Sequence, residues 1–133
     1  MENITSFKFE LGSYFGGHVS IEYSKYKVTH KYSDYPFHFD HHPPTVIERV
    51  VTEDELKPLN EMIPAIATWE KYAFTPGIDD GIEWSMNIRC GKKQINRAGY
   101  NTFTPEFDQM IAAVENLSGQ KLFGEKCKRF KEQ

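Results

Sequence analysis

The chain predicts an α+β domain, a mostly antiparallel β-sheet with two main helices packed on one face. Three observations carry this prediction. Ile82, Trp84, Met86, Ile88 and Cys90 alternate with Glu83, Ser85, Asn87 and Arg89, the period of a strand with one buried and one wet face. Two other stretches, Leu56 to Ala73 and Phe107 to Leu117, repeat apolar residues at helical spacing. The elements come in the order strands, helix, two strands, helix, and 133 residues with 39% hydrophobic content make one globular domain spanning 1–133.

Taken in order, Ser6 to Leu11 alternates with Phe7, Phe9 and Leu11 on one side, a first strand. Gly12, Gly16 and Gly17 punctuate the turn after it. His18 to Tyr23 is a second strand with Val19, Ile21 and Tyr23 inward. The parity then flips, so that Tyr26, Val28, His30 and Tyr32 form the apolar row. Such a flip requires a tight turn or bulge near Ser24 and Lys25, and a hairpin with a third strand over Tyr26 to Tyr32 satisfies it. Ser33 to Thr45 is a loop bounded by Pro36 and Pro43-Pro44, and Val46 to Val51 is a short strand.

Thr52 and Glu55 then have capping-box spacing, with acidic residues in the first turn of the helix they open. Leu56, Leu59, Ile63, Ile66, Trp69 and Ala73 are its buried stripe. Pro58 and Pro64 lack a backbone donor and predict a kink or two short pieces. Asp79-Asp80-Gly81 is turn chemistry leading into the strand Ile82 to Cys90. Gly91-Lys92 turns the chain back along Lys93 to Tyr100, a register that sets Ile88 against Ile95 and Trp84 over Gly99. Thr104 as N-cap and Pro105 at the first helical position open the second helix, which Gly119 closes. Residues 120–133 form a basic tail.

Asp80-Gly81-Ile82-Glu83-Trp84 is a D-G-x-x-W strand start, and Gly99-Tyr100-Asn101-Thr102-Phe103-Thr104-Pro105-Glu106-Phe107 a G-x-N-x-aromatic…P-x-F linker into a helix. Together they resemble a recurring group of small uncharacterised bacterial and mobile-element proteins. The resemblance covers the C-terminal half. It implies a compact domain and no particular activity.

Composition narrows the function classes. The net charge of −3 argues against a duplex-binding module, whose affinity comes from neutralised phosphates. The charge is uneven: residues 53–90 hold three basic and eight acidic groups, residues 91–133 eight basic and five acidic. The two cysteines, Cys90 on the apolar strand face and Cys127 in the tail, do not make a disulfide framework. With no signal-like start, the expectation is a reduced, cytoplasmic protein. No apolar run approaches membrane-spanning length. No nucleophile motif, phosphate-binding glycine loop or H-E-x-x-H helix is present, and the expectation is a protein without catalytic activity.

Three constellations remain. On the wet face of the hairpin, Glu83, Ser85, Asn87 and Arg89 lie across from Gln94 and Asn96, a polar row that suits recognition of a partner. Arg97 falls in the opposite, buried row and calls for a carboxylate from Glu48 or Asp79. Glu83, Asn87, Arg89, Asn96 and Arg97 are therefore the candidate partner-binding residues of a small binding protein, with an inhibitor or immunity-type factor of bacterial or phage origin, acting on another protein, as the expectation.

The alternative is a metal-binding protein or metal-dependent enzyme. All five histidines lie between His18 and His42, and His38, Asp40, His41 and His42 could ligate a divalent metal. Pro36 to His41 partly resembles the H-x-H-x-D-H signature of the metallo-β-lactamase fold, with Pro36 in place of the first histidine and no histidine after residue 42 to complete it. A third reading is nucleic-acid contact through the basic residues of 121–131. Tyr26, Tyr32, Tyr35, Phe37 and Phe39 interleave with Lys25, Lys27 and Lys31, but rings and lysines fall on opposite faces of the third strand, which suits a core better than a stacking surface.

Overall fold

A computed structural model describes residues 3–13, 17–33, 44–74, 82–100, 104 and 106–120. The strands are β1 (Ser6–Ser13), β2 (Gly17–Ser24), β3 (Lys27–Ser33), β4 (Thr45–Val50), β5 (Tyr72–Phe74), β6 (Ile82–Cys90) and β7 (Lys93–Tyr100), and the helices are α1 (Glu53–Thr68) and α2 (Phe107–Ser118). The strands form one sheet in the order β4-β3-β2-β1-β6-β7-β5, antiparallel except for the β5–β7 pair. The fold is the α+β arrangement that the sequence predicts.

The alternation decides which face is buried. Phe7, Phe9 and Leu11 of β1, Val19, Ile21 and Tyr23 of β2, and Ile82, Trp84, Met86 and Ile88 of β6 share one core with Leu59, Ile63 and Ile66 of α1 and Met110, Val114 and Leu117 of α2. Both helices therefore pack on that face. At its centre Trp84 meets Trp69 edge-on at 6.0 Å and Phe107 at 4.9 Å, joining β6 to the end of α1 and the start of α2. Trp84 lies opposite Gly99, and Ile88 opposite Ile95, the register expected for the hairpin.

The local predictions are met in part. The capping box is present: the Glu55 amide donates to the Thr52 hydroxyl at 3.3 Å, and the Thr52 amide donates to the Glu55 carboxylate at 3.2 Å. Gly119 ends α2 at φ +75, its amide donating to the Glu115 carbonyl at 2.8 Å. The parity flip is a two-residue turn at Lys25 and Tyr26, both with positive φ. Tyr26 consequently belongs to the turn and is exposed, with its hydroxyl donating to Glu53 at 2.7 Å, a bond that raises its pKa.

Four expectations need correction. Pro58 and Pro64 do not divide α1, which runs unbroken for 16 residues. Both prolines sit at exposed positions, where solvent can reach the carbonyls left without a helical donor. Ala73 lies on β5 rather than on α1, which ends with Trp69 as its C-cap. Thr104 is not the N-cap of α2; Glu106 is, in the left-handed region at φ 60 and without a side-chain cap. Tyr32, placed in the apolar row, is exposed near the sheet edge because its β4 neighbour is Thr45.

His30 has a consequence for stability. It lies on the core face of β3 between Ile21 and Ile47, is 5% exposed, and neither ring nitrogen has a hydrogen-bond partner among the described residues. Burial lowers its pKa, with contact to its own backbone offsetting only part of this. The sign follows from linkage. Above the ordinary pKa of 6.5 neither state holds the proton, and His30 adds no pH dependence. As pH falls below that value the unfolded chain binds a proton that the folded chain refuses, so stability declines until the lowered folded pKa is passed. Urea titrations at pH 7.5 and at mildly acidic pH are expected to show this loss in the wild type, and a smaller one in His30→Phe.

Candidate binding face

The face turned away from the helices carries the polar half of the alternation in β1, β2, β3 and β6, and the registers align it into rows across the sheet. One row runs Val50, Lys27, Ser24, Ser6, Arg89, Gln94. The next runs Glu48, Thr29, Glu22, Lys8, Asn87, Asn96. A third includes Lys31, Ser20, Glu10, Ser85 and Ala98, and a fourth joins His18, Gly12, Glu83 and Tyr100. Neither α1 nor α2 packs on this face. Its small residues Ser20 and Ser33 are buried, while Lys8, Lys27, Glu83, Asn87, Arg89, Gln94 and Asn96 are exposed.

The charges here are arranged unevenly. Lys8 bridges Glu10 at 2.9 Å and Glu22 at 3.5 Å, and Lys27 pairs with Glu48 at 2.9 Å. The hydrogen bond to Glu10, with the negative charge of both glutamates, raises the Lys8 pKa despite partial burial. Arg89 forms no side-chain hydrogen bond or ion pair with a described residue; only its carbonyl is engaged, by the Thr5 amide at 2.8 Å and hydroxyl at 3.1 Å. It lines a shallow depression of about 340 Å³ with Ser6, Lys8, Lys27, Asn87 and Gln94. A guanidinium beside two amides and a hydroxyl offers several donors to one carboxylate.

Four of the five predicted partner-binding residues, Glu83, Asn87, Arg89 and Asn96, thus share this face. Arg97 stands on the other face, where its guanidinium donates to the carbonyls of Ala67 at 2.9 Å and Asn96 at 2.7 Å. Glu48 does not serve it, because Glu48 lies on the opposite side of the sheet and pairs with Lys27. Asp79, the other suggested partner, lies outside the described residues, as do His38, Asp40, His41, His42 and 121–131. Among the described residues no cluster of three metal-ligating side chains occurs, and no helix is long and apolar enough to cross a membrane. Cys90 is buried, as its strand position predicts.

A second depression, of about 460 Å³, lies beside the start of α1 and is lined by Tyr26, Glu53, Asp54, Lys57, Asn60 and Glu61. Two of its carboxylates belong to the helix's first turn, where they oppose the positive end of the helix dipole. Asn60 is committed within the fold, accepting from the Ile4 amide at 2.9 Å.

A residue that the strand pattern did not single out is Arg49. From β4 its guanidinium donates to the Asn116 and Leu117 carbonyls at 3.2 and 2.7 Å, and it pairs with Glu55. It ties the C-terminal end of α2 to the N-terminal turn of α1. A basic residue in a row with Thr45 and Ile47 was the available signal.

A scan of the chain against protein-family models finds no match, and a search of curated proteins finds none.

Proposed function

We propose that this protein is a small binding module that engages another protein through the polar face of its sheet, with Arg89 receiving an acidic side chain of the partner. The observation that carries the reading is an exposed guanidinium lacking a described partner in a depression whose lysines already have carboxylates. Size supports it. At about 4.8 Å between strands and about 3.3 Å per residue, six strands of roughly eight residues give a face of about 750 Å². A standard interface takes about 800 Å² from each partner.

The mixed sign of the face favours a protein over a nucleic acid. Lys8, Lys27, Lys31 and Arg89 are interspersed with Glu10, Glu22, Glu48 and Glu83, so the surface lacks the cationic surplus that releases counterions from a polyanion. A sheet face is also preformed, so little ordering cost accompanies docking, which suits an inhibitor-type factor.

The test is a comparison of variants against each protein that the wild type retains on affinity beads, re-expressed and titrated in purified form. A partner of this face is expected to bind Arg89→Glu about 100-fold more weakly, the scale for losing a paired, partly desolvated charge. Thermal stability should hardly change, because the replaced group is exposed. Equal affinity of the wild type, Arg89→Glu and Asn87→Arg for every retained protein contradicts the proposal.

A further inference from the structure

Among the described residues strand β4 ends the sheet on one side, and its outer edge has a definite hydrogen-bonding pattern. The Val51 amide donates to the Tyr26 carbonyl at 2.8 Å, directly opposite it in the register. That marks Tyr26 and Val51 as a hydrogen-bonded pair, and such pairs alternate along an antiparallel ladder. Thr45, Ile47 and Arg49 therefore turn their main-chain groups toward β3. Val46, Glu48 and Val50 turn theirs outward, three amides and three carbonyls along one edge.

The same edge is apolar in its side chains. Val46 is 50% exposed, Ile47 37% and Val50 79%, three of the six exposed large hydrophobic residues described. Natural sheets usually blunt such an edge with short strands, charges or proline. The opposite edge strand, β5, has three residues, whereas β4 has six and no proline.

We propose that a second copy of this chain pairs with β4 edge to edge, antiparallel, about a two-fold axis passing through Glu48. An antiparallel pairing that sets outward-facing residues against one another completes the ladder, and within β4 the centrings on Val46, Ile47, Glu48, Arg49 and Val50 meet that condition. Centring on Glu48 sets Val46 of each copy against Val50 of the other, twice, and uses all six outward groups of each strand. Centring on Arg49, Val46 or Val50 leaves at most three residues of β4 overlapping, and centring on Ile47 leaves Val50 outside the overlap of residues 45–49. The self-complementarity of Val46 and Val50 about Glu48 is the reason for choosing a second copy over an unrelated strand.

The two carboxylates meeting at the axis are each held by their own Lys27 at 2.9 Å, so the junction carries balanced charge. A two-fold perpendicular to the sheet leaves both polar faces on one side of a continuous sheet of twice the width. The proposal does not depend on what those faces bind.

Sedimentation of the 133-residue chain over micromolar to near-millimolar concentrations tests it. The wild type is expected to sediment as a dimer at the upper end. Val50→Lys and Val46→Pro are expected to sediment as monomers with little change in melting temperature, since neither alters a β3 hydrogen bond. In a Cys127→Ser background, Glu48→Cys is expected to form an intermolecular disulfide under mild oxidation, because a hydrogen-bonded pair on the axis has the Cα spacing a disulfide needs. Lys57→Cys, exposed on α1, is expected not to. A wild type that stays monomeric throughout, a dimer indifferent to Val50→Lys, or equal crosslinking at positions 48 and 57 overturns the proposal.

Discussion

Replacing Trp84 by alanine is expected to cost about 3–5 kcal/mol of stability, the range for removing a large buried ring that the surroundings cannot refill. Trp84 is 2% exposed and stands where three elements meet. Its ring contacts Trp69 at the end of α1 and Phe107 at the start of α2, while β7 supplies only Gly99 opposite it. Gly99 has no side chain to move into the space, so collapse can come only from the helices. Domains of this size have a total stability of about 5–15 kcal/mol. Urea unfolding should therefore show Trp84→Ala with a much lower midpoint, and Trp84→Phe, which keeps a ring against Phe107, between it and the wild type. A loss below about 1 kcal/mol for alanine would mean that the aromatic cluster does not join the helices to the sheet.

The second large effect is expected at Arg49. Arg49→Ala removes two charge-assisted hydrogen bonds to the last carbonyls of α2 and the ion pair to Glu55. Hydrogen bonds involving a charged group contribute about 1.5–3 kcal/mol when paired, but Arg49 is partly exposed and solvent screens its ion pair. A loss of about 2 kcal/mol is the expected outcome. Arg49→Lys keeps the charge and loses the planar fork that reaches two carbonyls at once, so it should recover only part of the loss. Hydrogen exchange at the end of α2 should rise in both variants, because the order there depends on the clamp. Unchanged exchange in Arg49→Ala would show that Gly119 caps the helix without it.

Much of this fold is legible in the sequence where information is local. The alternation from Ile82 to Cys90 specifies a strand, a buried face and, with Gly91-Lys92, a hairpin register. The parity change at Ser24 and Lys25 locates a turn before any contact is known. What the pattern leaves open is non-local. The pairing of β1 with β6 joins segments about 75 residues apart in the chain, and period two says which side chains are buried but not which strand lies alongside. β5 is too short to show a period, and Ala73 falls by coincidence in helical phase with Trp69. Thr104 has the chemistry of a cap, yet α2 starts later, with Glu106 as N-cap in a left-handed conformation and Phe107 buried against Trp84.

The candidate site divides the same way. The shared face of Glu83, Asn87, Arg89 and Asn96 follows from alternation within one hairpin. That Lys8, Glu22 and Lys27 complete the depression depends on β1, β2 and β3 lying beside β6, which no local pattern shows. Arg97 illustrates the limit. Its burial row was readable, but its acceptor proved to be the Ala67 carbonyl at the end of α1, a group that every residue carries.

Site-specific photo-crosslinking reports directly whether the sheet face meets the partner. A photoreactive residue placed at Asn87 or Asn96 samples the polar face, and one placed at Lys57 samples the exposed side of α1. With a purified partner that the wild type binds, adducts are expected from Asn87 and Asn96, none from Lys57, and loss of the Asn87 adduct when Arg89→Glu is added. Adducts from Lys57 alone would place the partner on the helical side and contradict the assignment of the sheet face as the binding surface.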